Sequence, residues 1–220
     1  VCFAYNESAK IAKNKYLVLA HDDMYFCPRW DNIFVDELKK IQIEDFFISG
    51  TMVQNFKSYI YLDCGNSHNN FNEEKLLKEL PKIKFNDYQG SHWQPSLVPL
   101  STWNKVGGFS MEFSPGLGSD PDFNMKLWNI GVRIFKGLGN CRVYHFSSIS
   151  LRKKAWNNGS KTFLLKWGIS IKFFKKYYLK SDTPYNGVLN EPNRNLWYFF
   201  SLFKCKITLY YLKILRFLKY

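Results

Sequence analysis

The stretch that most constrains this chain is Tyr16-Leu-Val-Leu-Ala20, a short apolar run closed at once by His21-Asp22-Asp23. A run of that length, bounded by polar residues, reads as a buried strand. In open α/β sheets, ligands bind beyond the carboxyl ends of the strands. Two adjacent carboxylates placed there repel each other, and a hard divalent cation bridging a diphosphate would relieve the repulsion. The plainer alternative is a helix N-cap, because Asp commonly starts a helix.

The rest of the first 150 residues alternates strand and helix signals. Residues 7–14 read as the end of a helix, and Pro28-Arg-Trp30 opens another through Lys40 with Ile33, Phe34, Leu38 and Ile41 on one face. Phe46 to Val53 is a second strand candidate, residues 63–72 form an Asn-rich loop, and Glu73 to Leu80 is a short helix stopped by Pro81. A loop from Tyr88 runs into a short strand before Pro99. Leu100 to Val106 is a helix ended by Gly107-Gly108, and Asp120 to Gly131 is a helix with Phe123, Leu127 and Trp128 inward. Val132 to Phe135 and Arg142 to Tyr144 read as two strands. This alternation places the chain in the α/β class.

Two further constellations carry chemistry. In Gly118-Ser-Asp120-Pro-Asp122, Pro121 suits a first helical turn, so Asp120 is either an N-cap or a general base aimed into a cleft, and Asp122 either steadies the helix dipole or contacts substrate. His145 follows a strand and sits beside Tyr144 and Phe146, as a packed core residue or as a ligand completing a metal site. His92, Trp93 and Gln94 lie in the loop between the two carboxylate sites, where they line a ligand cleft with Trp93 as a stacking surface, or anchor a surface loop.

Taken in order, Leu17-Val-Leu-Ala-His-Asp-Asp23, Gly107-Gly-Phe109, Gly118 to Leu127 with Gly131, and Val143-Tyr-His145 resemble the motifs of family 2 glycosyltransferases of the A-type fold. The resemblance covers residues 1 to about 150. It implies a Rossmann-like sheet flanked by helices. It implies that Asp23 and His145 hold a divalent metal, Mn²⁺ or Mg²⁺, with Asp22 near the donor ribose or the metal. Asp120 would be the base that deprotonates the acceptor hydroxyl, and Gly107 and Gly108 would let backbone approach the acceptor. Ser119 stands where members of that family often have Glu, which leaves Asp120 the better base and Asp122 the weaker one. The Q-x-x-R-W signature of processive members is absent, which implies a single transfer. The family usually opens with further strands before this motif. The resemblance therefore implies a chain lacking its first strands, with a donor-binding half of roughly 70–100 residues ahead of Val1.

Charge divides the chain. Residues 1–150 hold 16 Lys/Arg and 16 Asp/Glu, whereas residues 151–220 hold 15 Lys/Arg against Asp182 and Glu191, a balance of 15 − 2 = +13. The first segment reads as the catalytic core and the second as a basic, aromatic-rich helical tail, with helices over 161–180 and 195–220 and a Pro/Gly linker between them. The tail packs on the core, rests on an anionic membrane, or meets nucleic acid. A membrane surface is preferred, since no nucleic-acid motif is present. Cys2, Cys27, Cys64, Cys141 and Cys205 show no paired spacing, so no disulfide framework is expected and a reducing cytoplasm fits.

These readings converge on an inverting, metal-dependent transfer of one sugar from a nucleotide-diphosphate sugar to a cell-envelope glycan or lipid-linked acceptor, on the inner face of the cell membrane, without nucleic acid. The alternative is a degenerate, non-catalytic relative that binds membrane or nucleic acid through its tail.

Overall fold

A computed structural model describes residues 1–56, 58–90, 93–146 and 157–217. It is an α/β protein in which a mixed seven-stranded sheet is flanked by helices and followed by a long C-terminal helix. The strands are β1 (Tyr16–Leu19), β2 (Met24–Phe26), β3 (Phe47–Gln54), β4 (Ile60–Tyr61), β5 (Tyr88–Gln89), β6 (Ser96–Pro99) and β7 (Phe135–His145). They run in the order β1-β6-β3-β7-β2, with β4 paired to β3 and β5 to β7. β1 and β3 are each antiparallel to β6, and β3 is parallel to β7, so β1, β3 and β7 point their carboxyl ends the same way.

Neighbouring residues of a strand point to opposite faces, and here they enter different cores. Phe47 and Val98 join a large cluster on one face, whereas Ile48 and Leu97 join a second cluster on the other. The first face is covered by α1 (Cys2–Ile11), α4 (Leu100–Val106) and α5 (Ser119–Asn129), and the second by α2 (Trp30–Leu38) through Phe34. A third cluster, around Tyr144, Ile60 and Leu76 of α3 (Glu73–Glu79), closes the far end. β3 and β7 are buried along almost their whole length, as central strands covered on both faces should be.

Inside the sheet lies a charged group. Lys136 on β7 sits 2.7 Å from Glu37 of α2 and 3.0 Å from Asp87, with Lys136 and Glu37 almost wholly buried. Desolvation pulls the lysine pKa down, but the two carboxylates outweigh it and hold the pKa above its ordinary value.

The large cluster does not stop at residue 150. Phe163, Phe173, Phe174, Leu179, Leu189 and Tyr198 belong to it together with Phe123 and Trp128 of α5. α5 is thus packed between the sheet and the helices α6 (Gly159–Trp167), α7 (Ile171–Phe174) and α8 (Leu196–Phe217). The single helix expected over 161–180 is broken. Gly168 takes a left-handed conformation and caps α6, Ser170 caps α7 by accepting from the Phe173 N–H at 3.1 Å, and a π turn spans Lys175–Leu179. The two strands expected near 132–135 and 142–144 are one strand of 11 residues. Inside this strand, Gly137 lies where a Cβ would strike the Tyr88 ring, so its bareness lets β5 pair there.

The five cysteines are buried and free. Two asparagines hold the chain locally: Asn6 clamps Phe109 through paired 2.8 Å bonds, and Asn158 caps α6 through the Lys161 N–H. Among the described residues, no helix is long and apolar enough to cross a membrane.

Candidate active site

The site is built by a crossing. β1 and β2 lie at opposite ends of the strand order, yet only residues 20–23 connect them. Four inter-strand gaps of about 4.8 Å make about 19 Å, which is also the most that five Cα–Cα steps can reach. The connection therefore has little slack and runs over the carboxyl ends of β3 and β7. Its far end is pinned by register. Met24 pairs with His145, and the Phe146 N–H donates to the Asp23 carbonyl at 3.0 Å. Asp23 is thereby held against His145, with Oδ2 3.2 Å from Nε2.

The same crossing brings in His21. Its ring centroid lies 6.3 Å from that of His145, and one donor atom each from His21, Asp23 and His145 fall within 4.8 Å of one another. Around an ion with bonds near 2.1 Å, adjacent donors sit about 3 Å apart and opposite donors about 4 Å apart, so the group is close to a coordinating geometry. Burial holds the His21 pKa below its ordinary value, against an upward pull from Asp23, which keeps the imidazole neutral and able to bind a metal. Tyr5 of α1 supports the crossing from below by donating its hydroxyl to the Ala20 carbonyl at 2.7 Å. The donor set fits a divalent metal. Two imidazoles and one carboxylate favour a transition metal over Mg²⁺. Asp22 is exposed and is not part of the group.

A cavity of about 730 Å³ opens beside this group, and its walls include His21, His145 and Asp120. Asp120 lies in the first turn of α5, after Gly118 in a left-handed conformation. Its Oδ1 accepts from Gln94 Nε2 at 2.9 Å. Burial pushes its carboxyl up to about 7, with the Gln94 bond pulling the other way. The buried Oε1 atoms of Gln94 and Gln54 both lack a protein partner among the described residues, and both residues line the cavity. They are ready acceptors for a ligand hydroxyl. Trp93 also forms part of the wall, half exposed, with Lys175 Nζ 6.0 Å from its ring centroid. His92 lies outside the described residues.

Three expected site residues stand apart from the cavity. Asp122 is fully buried. It accepts from Ser110 Oγ at 2.6 Å and Trp167 Nε1 at 2.8 Å, and Lys166 Nζ lies 2.9 Å away, so it ties α5 to α6. Gly107 and Gly108 end α4 and do not line the cavity. A Cβ on Gly108 would meet Asn6 Oδ1 at 2.5 Å and the Trp103 ring, so its bareness serves the Asn6 clamp.

Sequence reasoning left out His21, Gln54, Tyr59, Lys175 and Asp182. His21 sits inside the motif that was singled out, and its signal was available. The last two come from the tail: the Tyr59 hydroxyl donates to the Asp182 carboxylate, and the Ser181 hydroxyl to the Gly90 carbonyl at 2.9 Å, which fastens residues 175–182 against the cavity. No known protein-family model matches this chain, and no curated protein matches it.

Proposed function

We propose that this chain carries the active site of a family 2, A-type glycosyltransferase that moves one sugar, with inversion, from a nucleotide-diphosphate donor to a hydroxyl of a glycan or lipid-linked acceptor. The observation that carries the reading is that one cavity is walled by the two histidines of the His/Asp/His group, His21 and His145, and by a carboxyl poised near neutral pH. The mixed sheet, with β6 reversed between β1 and β3, supports the fold assignment.

A divalent ion held by Asp23, His145 and His21 would neutralise the diphosphate leaving group, and of Mn²⁺ and Mg²⁺ the former accepts imidazole more readily. Asp120 acts as the base. At neutral pH a useful fraction is ionised, and Gln94 holds Oδ1 so that Oδ2 can face the acceptor. The acceptor hydroxyl gives its proton to Asp120 while its oxygen bonds to the anomeric carbon. The bond from that carbon to the diphosphate oxygen breaks, and its electron pair leaves with the diphosphate. Attack from the face opposite the leaving group inverts the centre. Gln54, Gln94 and Trp93 orient the sugar rings, the amides by hydrogen bonds and the indole by stacking.

The test is release of nucleoside diphosphate from a panel of nucleotide-diphosphate sugars with Mn²⁺. Wild type should turn over at least one donor, and Asp120→Asn and Asp23→Ala should abolish it while keeping the fold. Turnover retained in Asp120→Asn, or no turnover of any donor by wild type, overturns the reading.

A further inference from the structure

α8 is apolar on two opposite sides, and only one of them is covered. At 3.6 residues per turn, Tyr198, Leu202, Cys205, Leu209 and Leu212 form an inward stripe that joins the large core. Positions 196, 200, 203, 207, 210 and 214 form a second stripe about 180° away, and all six are exposed, from 41% at Ile214 to 81% at Leu196. Phe199 and Tyr211 widen this stripe. The cations sit at its borders. Lys206 and Lys213 fall about 60–80° from the inward stripe on one side, and Lys204 lies about 120° away on the other. The helix carries no acidic residue.

We infer that this outward face of α8 is a membrane-docking surface: the helix lies in the headgroup region of an anionic bilayer, its aromatic stripe entering the acyl boundary and its lysines reaching lipid phosphates. Four observations choose this occupant. Phe199, Phe200, Phe203, Tyr210 and Tyr211 dominate the widened stripe, and aromatic side chains suit the interface between water and acyl chains. Lysines on both flanks match a plane of negative charge. A second copy of this chain is the wrong partner, because a two-fold pairing of α8 would set lysine rows against each other with no acid to offset them. The helix is not apolar enough to span, so it lies on the bilayer. The positive face also continues past α8. One groove between α7 and α8 is lined by Lys172, Lys176 and Lys204, and the next holds Lys175 and Lys180 and shares Lys175 and Asp182 with the cavity. Docking would thus set the cavity mouth beside the headgroups. The inference stands on α8 and does not depend on the cavity transferring sugar.

The experiment is flotation of the full chain with phosphatidylcholine vesicles, with and without phosphatidylglycerol, alongside size-exclusion chromatography over a range of protein concentrations. Wild type should float with the anionic vesicles and far less with the neutral ones, and high salt should weaken binding. The triple change Lys204→Gln, Lys206→Gln and Lys213→Gln should reduce affinity about 100-fold. Phe203→Ser with Ile207→Ser should abolish flotation. These side chains face away from the core, so thermal unfolding and circular dichroism should stay as in wild type. Absence of flotation with anionic vesicles, or flotation unchanged in both variants, overturns the inference. So does a concentration-dependent dimer that Phe203→Ser with Ile207→Ser dissolves, since that would make a second copy the occupant.

Discussion

Replacing Asp120 by Asn keeps an oxygen that can accept the Gln94 amide and removes only the titration. In the folded chain the carboxyl is pushed up to about 7 from a starting value of 3.8. A group whose folded pKa is raised contributes stability that is fully present below the unfolded value and lost as pH rises through the folded one. The folded protein therefore loses stability from about pH 4 to about pH 7 on account of this residue. At about 1.4 kcal/mol per unit the ceiling is about 4 kcal/mol, and solvent in the cavity that Asp120 faces trims this to about 1–2 kcal/mol. Urea unfolding of wild type and Asp120→Asn at about pH 5 and about pH 8 measures it. The variant should gain about 1–2 kcal/mol relative to wild type on going to the higher pH. If the two pH profiles run parallel to within about 0.5 kcal/mol, the carboxyl is not held near neutrality, and its role as a poised base falls with that.

Four other substitutions probe the frame and the His/Asp/His group. His145→Ala and His21→Ala should each weaken Mn²⁺ or Zn²⁺ binding by about tenfold or more in calorimetric titration, and equal affinity in His21→Ala would remove that residue from the group. Asp122→Ala leaves Trp167 Nε1 without its buried acceptor, while Lys166 keeps Glu112 at 2.7 Å, and should cost about 1–3 kcal/mol in urea unfolding; a loss under about 0.5 kcal/mol would mean that α6 is held to α5 by apolar contacts alone. Lys136→Met leaves the buried Glu37 with only the exposed Lys40, 3.4 Å from Oε2, and should cost about 2–4 kcal/mol, much of it recovered by adding Glu37→Leu; no recovery would refute a poorly compensated charge as the cause.

The elements that were legible in the sequence are those whose signal is local. β1, α4 and α5 announce themselves by a bounded apolar run, by Gly107-Gly108 and by Pro121 with a 3.6-residue period. β2, β4 and β5 have two or three residues each and exist only because β3 and β7 offer them an edge. Asp23 and His145 could be named from their place in ordered motifs. The third member, His21, joins them through a crossing whose far end is set by a register 121 residues away in sequence, Met24 opposite His145. Lys175 and Asp182 reach the cavity because residues 180–183 bond to Gly90 and Gln89, and no pattern within the tail reports that contact. For α8, the sequence showed lysines among aromatics but not which of two apolar stripes the core would take.

The fastening of residues 175–182 against the cavity also fixes an order of events during synthesis. Chains emerge from the ribosome amino end first, and early segments can fold before later ones exist. The His/Asp/His group is complete once β7 has left the exit tunnel, since His145 is its last member. The wall beside it is not, because Lys175 and Asp182 are still to be made. A nascent chain would therefore hold a finished His/Asp/His group in an unfinished pocket, and the pocket closes only when the tail helices dock. The assembly of the site is in this sense timed by translation: the residues that enclose the cavity are among the later parts of the described chain to arrive.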